Sequence, residues 1–194
     1  IEQAPPPTSR AELCQRFGIP LEAPLAVSAI RLSDQKDPAT MVSAVARVHG
    51  LHLVLFGDGP LLQSMRMLAI AQGVEDRIHF AGYDREARAF LSAGDLVLLS
   101  SRWEGHVLVA LEAMAAGMPL VATACPGVAE WVTNESTALL SPVGDVEALA
   151  ANVERILNEP QLAKHLVDQG LRLAEQHSAS AMVAAHLAAY GITA

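Results

Sequence analysis

The sequence predicts one doubly wound, Rossmann-like α/β domain with about six parallel strands, helices on both faces and a helical extension at its C-terminal end. Three observations carry this. Short apolar runs alternate with longer helix-type segments at the spacing of βαβ units. The crossovers between such strands are right-handed, which places helices on both sides of the sheet. The 194 residues are 52% hydrophobic and 18% charged, enough apolar material for one well-cored domain and too little charge for a disordered chain.

The elements follow in order. Residues 1–7 contain Pro5-Pro6-Pro7 and read as a linker, with the domain running from 8 to 194. Ser9 and Glu12 form a capping-box pattern that opens a short helix to Phe17, stopped by Gly18 and Pro20. Residues 24–30 (PLAVSAI) are a buried strand, and 38–49 a helix with Met41, Val42, Val45 and Val48 on one side. Leu51 to Phe56 is a strand, followed by Gly57-Asp58-Gly59-Pro60 and a helix from Leu61 to Gln72. Ile78 to Ala81 is a short strand, Asp84 to Ala93 a helix, and Leu96 to Leu99 another strand. Residues 107–116 lack proline and glycine and read as a buried helix, ended by Gly117 and Pro119. Strands at Leu120 to Ala122 and, more weakly, Ala138 to Leu140 complete the sheet. Asp145 caps a helix to Asn158, Pro160 opens one to about Gln176, and a last helix runs from Ser178 to Tyr190.

Composition excludes several functions. A net charge of −8 argues against a nucleic-acid surface, so any phosphate site must be local. Cys14 and Cys125 give neither a disulfide framework nor zinc spacing, and a reducing cytoplasm fits them best. No secretory leader opens the chain, and its longest apolar run is broken by Glu112, Gly117 and Pro119. The chain starts at Ile1, as a piece of something longer would. The seven histidines show no ligand spacing, and neither a nucleophile elbow nor a Walker lysine is present.

What remains is a set of strand-end residues. Glu112 is the only charged residue between Val107 and Cys125. A carboxylate on such a helix costs several kcal/mol if it is buried without partners. Glu112 therefore either faces solvent or meets donors in a cleft, and sugar or ribose hydroxyls would suit. Glu104 lies in the loop after the Leu96 strand, where ligands collect in parallel sheets, unless it merely caps the next helix. Arg31 and Lys36 stand in the loop after the first strand, beside the helix opened by Asp37-Pro38. They suit a diphosphate, a fork and a point charge, or are solvated loop residues. Gly57-Asp58-Gly59-Pro60 falls short of a dinucleotide fingerprint and reads equally as a tight turn.

The segment EGHVLVALEAMAAGMPLVAT, with Glu104-x7-Glu112, resembles the E-x7-E motif of retaining nucleotide-sugar glycosyltransferases of the glycogen-synthase-like group, family 4, usually EGFGLxxLEAMAxGxPVVA. Arg31 and Lys36 resemble that family's GRLxxxK, with Ala29-Ile30 where glycine is usual. The order Arg31, Lys36, Gly57/Gly59, Gly82, Glu104, Glu112 resembles the C-terminal, donor-binding domain of a GT-B enzyme over nearly the whole chain. The resemblance implies that Arg31 and Lys36 neutralise the donor diphosphate, that Glu104 orients the donor sugar and that Glu112 holds the ribose. It implies that Gly57 and Gly59 edge the donor cleft, and that Gly82 and Tyr83 lie by the nucleobase. It also implies that Gly105, His106, Val107 and Leu108 lie under the sugar and phosphates. His106-Val107 departs from the family's usual Phe-Gly or Phe-Pro, which puts the local loop shape in question. No cofactor or metal is implied, UDP ranks ahead of GDP as the carrier, and the N-terminal acceptor domain is missing. The implied location is cytoplasmic, with membrane attachment left to the absent domain. The other readings are a noncatalytic nucleotide-sugar-binding module, a nucleotide-sugar epimerase, and a dinucleotide oxidoreductase lacking its glycine fingerprint.

Overall fold

The computed structural model describes residues 9–105, 108–178, 180, 181, 183, 186, 187 and 190. The 1–7 linker, His106, Val107 and much of the expected last helix lie outside the described residues; 180, 181, 183, 186 and 187 are helical. Helix α1 (Arg10–Phe17) is opened by the capping box, in which Glu12 N–H donates to Ser9 Oγ (3.2 Å) and Ser9 N–H to Glu12 Oε2 (3.1 Å). Gly18, at φ 66°, ends it. Strand β1 (Leu25–Ala29), helix α2 (Pro38–Arg47), strand β2 (His52–Phe56), helix α3 (Leu62–Ala71) and strand β3 (Ile78–Gly82) make the first half. Strand β4 (Leu96–Leu99), helix α4 (Leu108–Ala115), strand β5 (Leu120–Thr123) and strand β6 (Leu139–Ser141) follow, then helices α5 (Val146–Asn158) and α6 (Pro160–Gln176).

The six strands form one parallel sheet in the order β3-β2-β1-β4-β5-β6. The inner strands are mostly apolar because they are covered on both faces: Leu25 to Val27, Leu53 to Leu55 and Leu96 to Leu98 have no exposed surface. Helix α2 packs on α3 and α5, while α4 packs on α6 and on the segment before β4. The strand order reverses direction between β1 and β4, so those crossovers lie on opposite faces and leave a crevice at the carboxyl ends of β1 and β4.

The segment expected as a helix over 84–93 is instead a 3₁₀ helix, Ala87–Ala93. Asp84 Oδ1 accepts the Glu86 N–H (2.9 Å), which holds the entry in a turn. Gly94 closes the exit, where a Cβ would stand 3.0 Å from the Leu25 carbonyl oxygen. The last helix aside, the other expected elements keep their type, with ends shifted by at most two residues.

Candidate functional site at the β1–β4 crevice

The loop after β1 winds into a 3₁₀ turn, Asp34–Lys36, and then Asp37. Asp37 is in the left-handed region (φ 43°), which aspartate tolerates better than most residues. Its buried carboxylate caps α2, accepting the Thr40 hydroxyl at 2.9 Å and the Thr40 N–H at 3.4 Å. Arg102 Nε lies 3.2 Å from it. The loop after β4 is tied to this turn. Ser100 Oγ reaches the carbonyl oxygens of Lys36 (2.9 Å) and Asp37 (2.8 Å). Arg102 N–H donates to Gln35 O (2.8 Å), and Gln35 Nε2 donates to Trp103 O (3.0 Å). From the far side, Thr123 Oγ1 donates to Ser101 O, and Glu104 N–H to Pro126 O (2.9 Å).

These ties bring Lys36 and Glu104, 68 residues apart in sequence, into one ion pair. Lys36 Nζ stands 2.7 and 2.6 Å from the two oxygens of Glu104, and the side chains are 18% and 9% exposed. Ser101 Oγ also donates to Glu104 Oε1. A charge this sheltered is stable only when paired and hydrogen-bonded, and both conditions are met. Lys36 offers three donors, so one is left for a ligand.

Arg31 is exposed and, among the described residues, forms no ion pair. It lines a cleft of about 590 Å³ with Ala29, Phe56, Gly57, Asp58 and Tyr83, at the carboxyl ends of β1 and β2. Gly57 and Gly59 shape that cleft. Gly57 (φ 128°) lies so close to the Ile30 carbonyl that an added Cβ would overlap it at 1.8 Å. A Cβ at Gly59 would come within 2.3 Å of Leu32 O. Gly57 N–H donates to Gly82 O (2.7 Å), joining the β2 and β3 ends. Tyr83 is 75% exposed at the mouth.

Glu112 does not face free solvent; its side chain is 17% exposed and its Oε1 lies 3.1 Å from Arg88 Nε. Burial pushes its carboxyl above the ordinary value, and the Arg88 guanidinium opposes that. Among the described residues, nothing beyond its chain neighbours lies within 4 Å of a Cβ built on Gly105, and Leu108 is exposed at the start of α4. His106 and Val107 lie outside the described residues. Lys36, Glu104 and Glu112 are not among the residues that line the 590 Å³ cleft. Sequence reasoning missed Arg88 and Gly127. Gly127 (φ 90°) backs the Glu104 main chain, where a Cβ would stand 2.1 Å from the Glu104 carbonyl oxygen. The Pro126-Gly127 pair after β5 was a readable turn signal for the second; Arg88 had none.

Cys125 is buried, and burial above all pushes its thiol up, so it is no ready nucleophile. Among the described residues no three His, Cys, Asp or Glu side chains group as metal ligands. No helix among them is long and apolar enough to cross a membrane.

Residues 9–172 match the family model described as glycosyl transferases group 1. The chain is 34% identical over 173 residues to lipopolysaccharide core biosynthesis glycosyltransferase LpsE of Rhizobium meliloti (strain 1021), covering 89% of this chain and 51% of that one. It is 34% identical over 166 residues to the GDP-mannose-dependent alpha-(1-6)-phosphatidylinositol monomannoside mannosyltransferase of Mycobacterium tuberculosis (strain CDC 1551 / Oshkosh), covering 79% and 43%. The crystal structure of Anabaena Alr3699/HepE in complex with UDP and glucose superposes with a TM-score of 0.86 at 22% identity, over 93% of this chain and 51% of that one. The chain thus spans about half the length of the curated relatives it matches.

Proposed function

The chain belongs to the group 1 glycosyl transferases, and from that premise we propose that it is the donor-binding half of a retaining enzyme that moves a sugar from a nucleoside diphosphate to an acceptor hydroxyl. The single observation that carries this reading is the sheltered Lys36–Glu104 pair across the β1–β4 crevice, with Arg31, which forms no ion pair among the described residues, lining the cleft at the ends of β1 and β2. In the reaction the bond from the anomeric carbon to the leaving phosphate oxygen breaks, the acceptor oxygen bonds to that carbon, and the acceptor hydroxyl's proton passes to the departing diphosphate. Negative charge grows on the diphosphate as it leaves. Arg31 and the spare donor of Lys36 are the fixed cations aimed at it, and loss of one such donor typically costs on the order of 10²–10³ in rate. Glu104, oriented by Lys36 and Ser101, accepts hydroxyls of the donor sugar, and Glu112 accepts those of the ribose.

A structural neighbour holds UDP, while a 34% identical relative is named for GDP-mannose; UDP remains our first choice. The lipopolysaccharide core relative suggests a glycan acceptor. Acceptor binding would fall to sequence beyond this half, so the chain alone is expected to bind donor without transferring sugar. Calorimetric titration with UDP and GDP tests the reading. One of the two should bind, and Glu112→Ala should weaken it about tenfold, or 1.4 kcal/mol. Failure of both nucleotides to bind would overturn the proposal.

A further inference from the structure

Glu112 stands alone as a charge on α4, on a helix whose other side chains are apolar. Its one ion-pair partner among the described residues is Arg88, on the 3₁₀ helix Ala87–Ala93. The contact is an unusual one. Arg88 Nε lies 3.1 Å from Glu112 Oε1, yet that buried nitrogen makes no well-directed hydrogen bond among the described residues. The Arg88 side chain as a whole is 41% exposed, and its neighbour Ala87 lines the 590 Å³ cleft. Neither Arg88 nor Glu112 lines that cleft, but the pair follows its lining residue Ala87 directly, with Glu112 sheltered and Arg88 partly exposed. Glu112 Oε2 has no hydrogen bond among the described residues.

We infer that Arg88 is a positioning residue for Glu112: its guanidinium, ion-paired with Oε1, preserves the negative charge, and Oε2 is left to accept the hydroxyls of the donor's ribose. This rests on the donor-binding reading above. A surface pair of this kind would contribute little to stability. Here the carboxylate is sheltered, and a sheltered carboxylate without its cation either shifts toward its neutral form or draws in water. Either change removes the acceptor that a sugar hydroxyl needs. The 3₁₀ segment carries Arg88 to Glu112 on α4 while its Ala89, Leu91 and Ala93 stay buried.

The test is calorimetric titration of this chain with UDP and with 2′,3′-dideoxy-UDP, and with the guanine pair should GDP be the ligand. The wild type should prefer the ribose form by about tenfold. Arg88→Ala should weaken the ribose form by about tenfold and erase the preference, and Arg88→Lys should retain most of both. In the Arg88→Ala background, Glu112→Gln should add little further loss, because the two residues act as one unit. If Arg88→Ala unfolds, Arg88→Gln keeps the stem, removes the charge and carries the same expectation. A preference for ribose that survives Arg88→Ala and Arg88→Gln overturns the inference and leaves the donor reading standing. So does tighter binding by either variant, while a wild type blind to the ribose hydroxyls overturns the inference together with the ribose role of Glu112. Absence of nucleotide binding by the wild type overturns both.

Discussion

At the scale of single residues, the site depends on close approach and on paired charge. Gly57 meets the Ile30 carbonyl where no side chain fits, at a φ that only glycine adopts freely. Gly57→Ala should lower stability by at least about 2–3 kcal/mol, read as an earlier denaturant midpoint, and should displace the loop that carries Arg31. The Lys36–Glu104 pair is asymmetric in a different way. Lys36→Ala leaves the less exposed Glu104 without a cation and should cost about 3 kcal/mol. Glu104→Gln should cost less, since the amide still accepts from Ser101 and the lysine stem can swing its charge to water. Urea unfolding of the two variants checks that order; equal costs would mean that Lys36 is as firmly held as Glu104.

At the scale of elements, β2 and β3 are joined by more than their ladder. His52 Nδ1 and His79 Nε2 are 3.1 Å apart, and the rings stack at 5.4 Å. One proton fits between those nitrogens, and a second would set two cations face to face. Burial, then His52, holds His79 down at about 4, and burial, then Arg77, lowers His52. Both groups thus bind protons less readily when folded. The stability they allow is present above the ordinary histidine pKa and is lost as pH falls below about 6.5 toward 4. With allowance for partial solvent screening, the loss should be on the order of 1 kcal/mol by about pH 5. Thermal unfolding followed across that range should show it, and His52→Gln together with His79→Gln should flatten the dependence.

At the scale of the whole molecule, the strand order alone places the site. A sheet that runs outward from β1 in one direction and from β4 in the other leaves a crevice between them. The loops that form its walls are clamped to each other by Ser100, Gln35 and Thr123. This half is thus a preorganised donor platform in our reading, and it spans about half the length of its curated relatives. Incubated with nucleotide sugar and a glycan acceptor, the chain alone should form no glycosidic product while still binding the nucleotide. Product formation in a radiolabel transfer assay would show that this half carries acceptor recognition as well.

The sequence by itself determined the sheet, because fully buried parallel strands must be apolar runs and their spacing leaves little choice of topology. It also determined the E-x7-E segment and the basic loop, since each lies within a few residues of a strand end. Tertiary structure alone decided who pairs with whom. Glu104 joins Lys36 across 68 residues, Glu112 meets Arg88 on a segment that turned out to be 3₁₀, and Gly127 backs Glu104 from the loop after β5. The physical reason is that local pattern reports which face of an element is apolar. Charge partners and backbone contacts between loops depend on which strand ends become neighbours, and that is known only once the sheet is assembled.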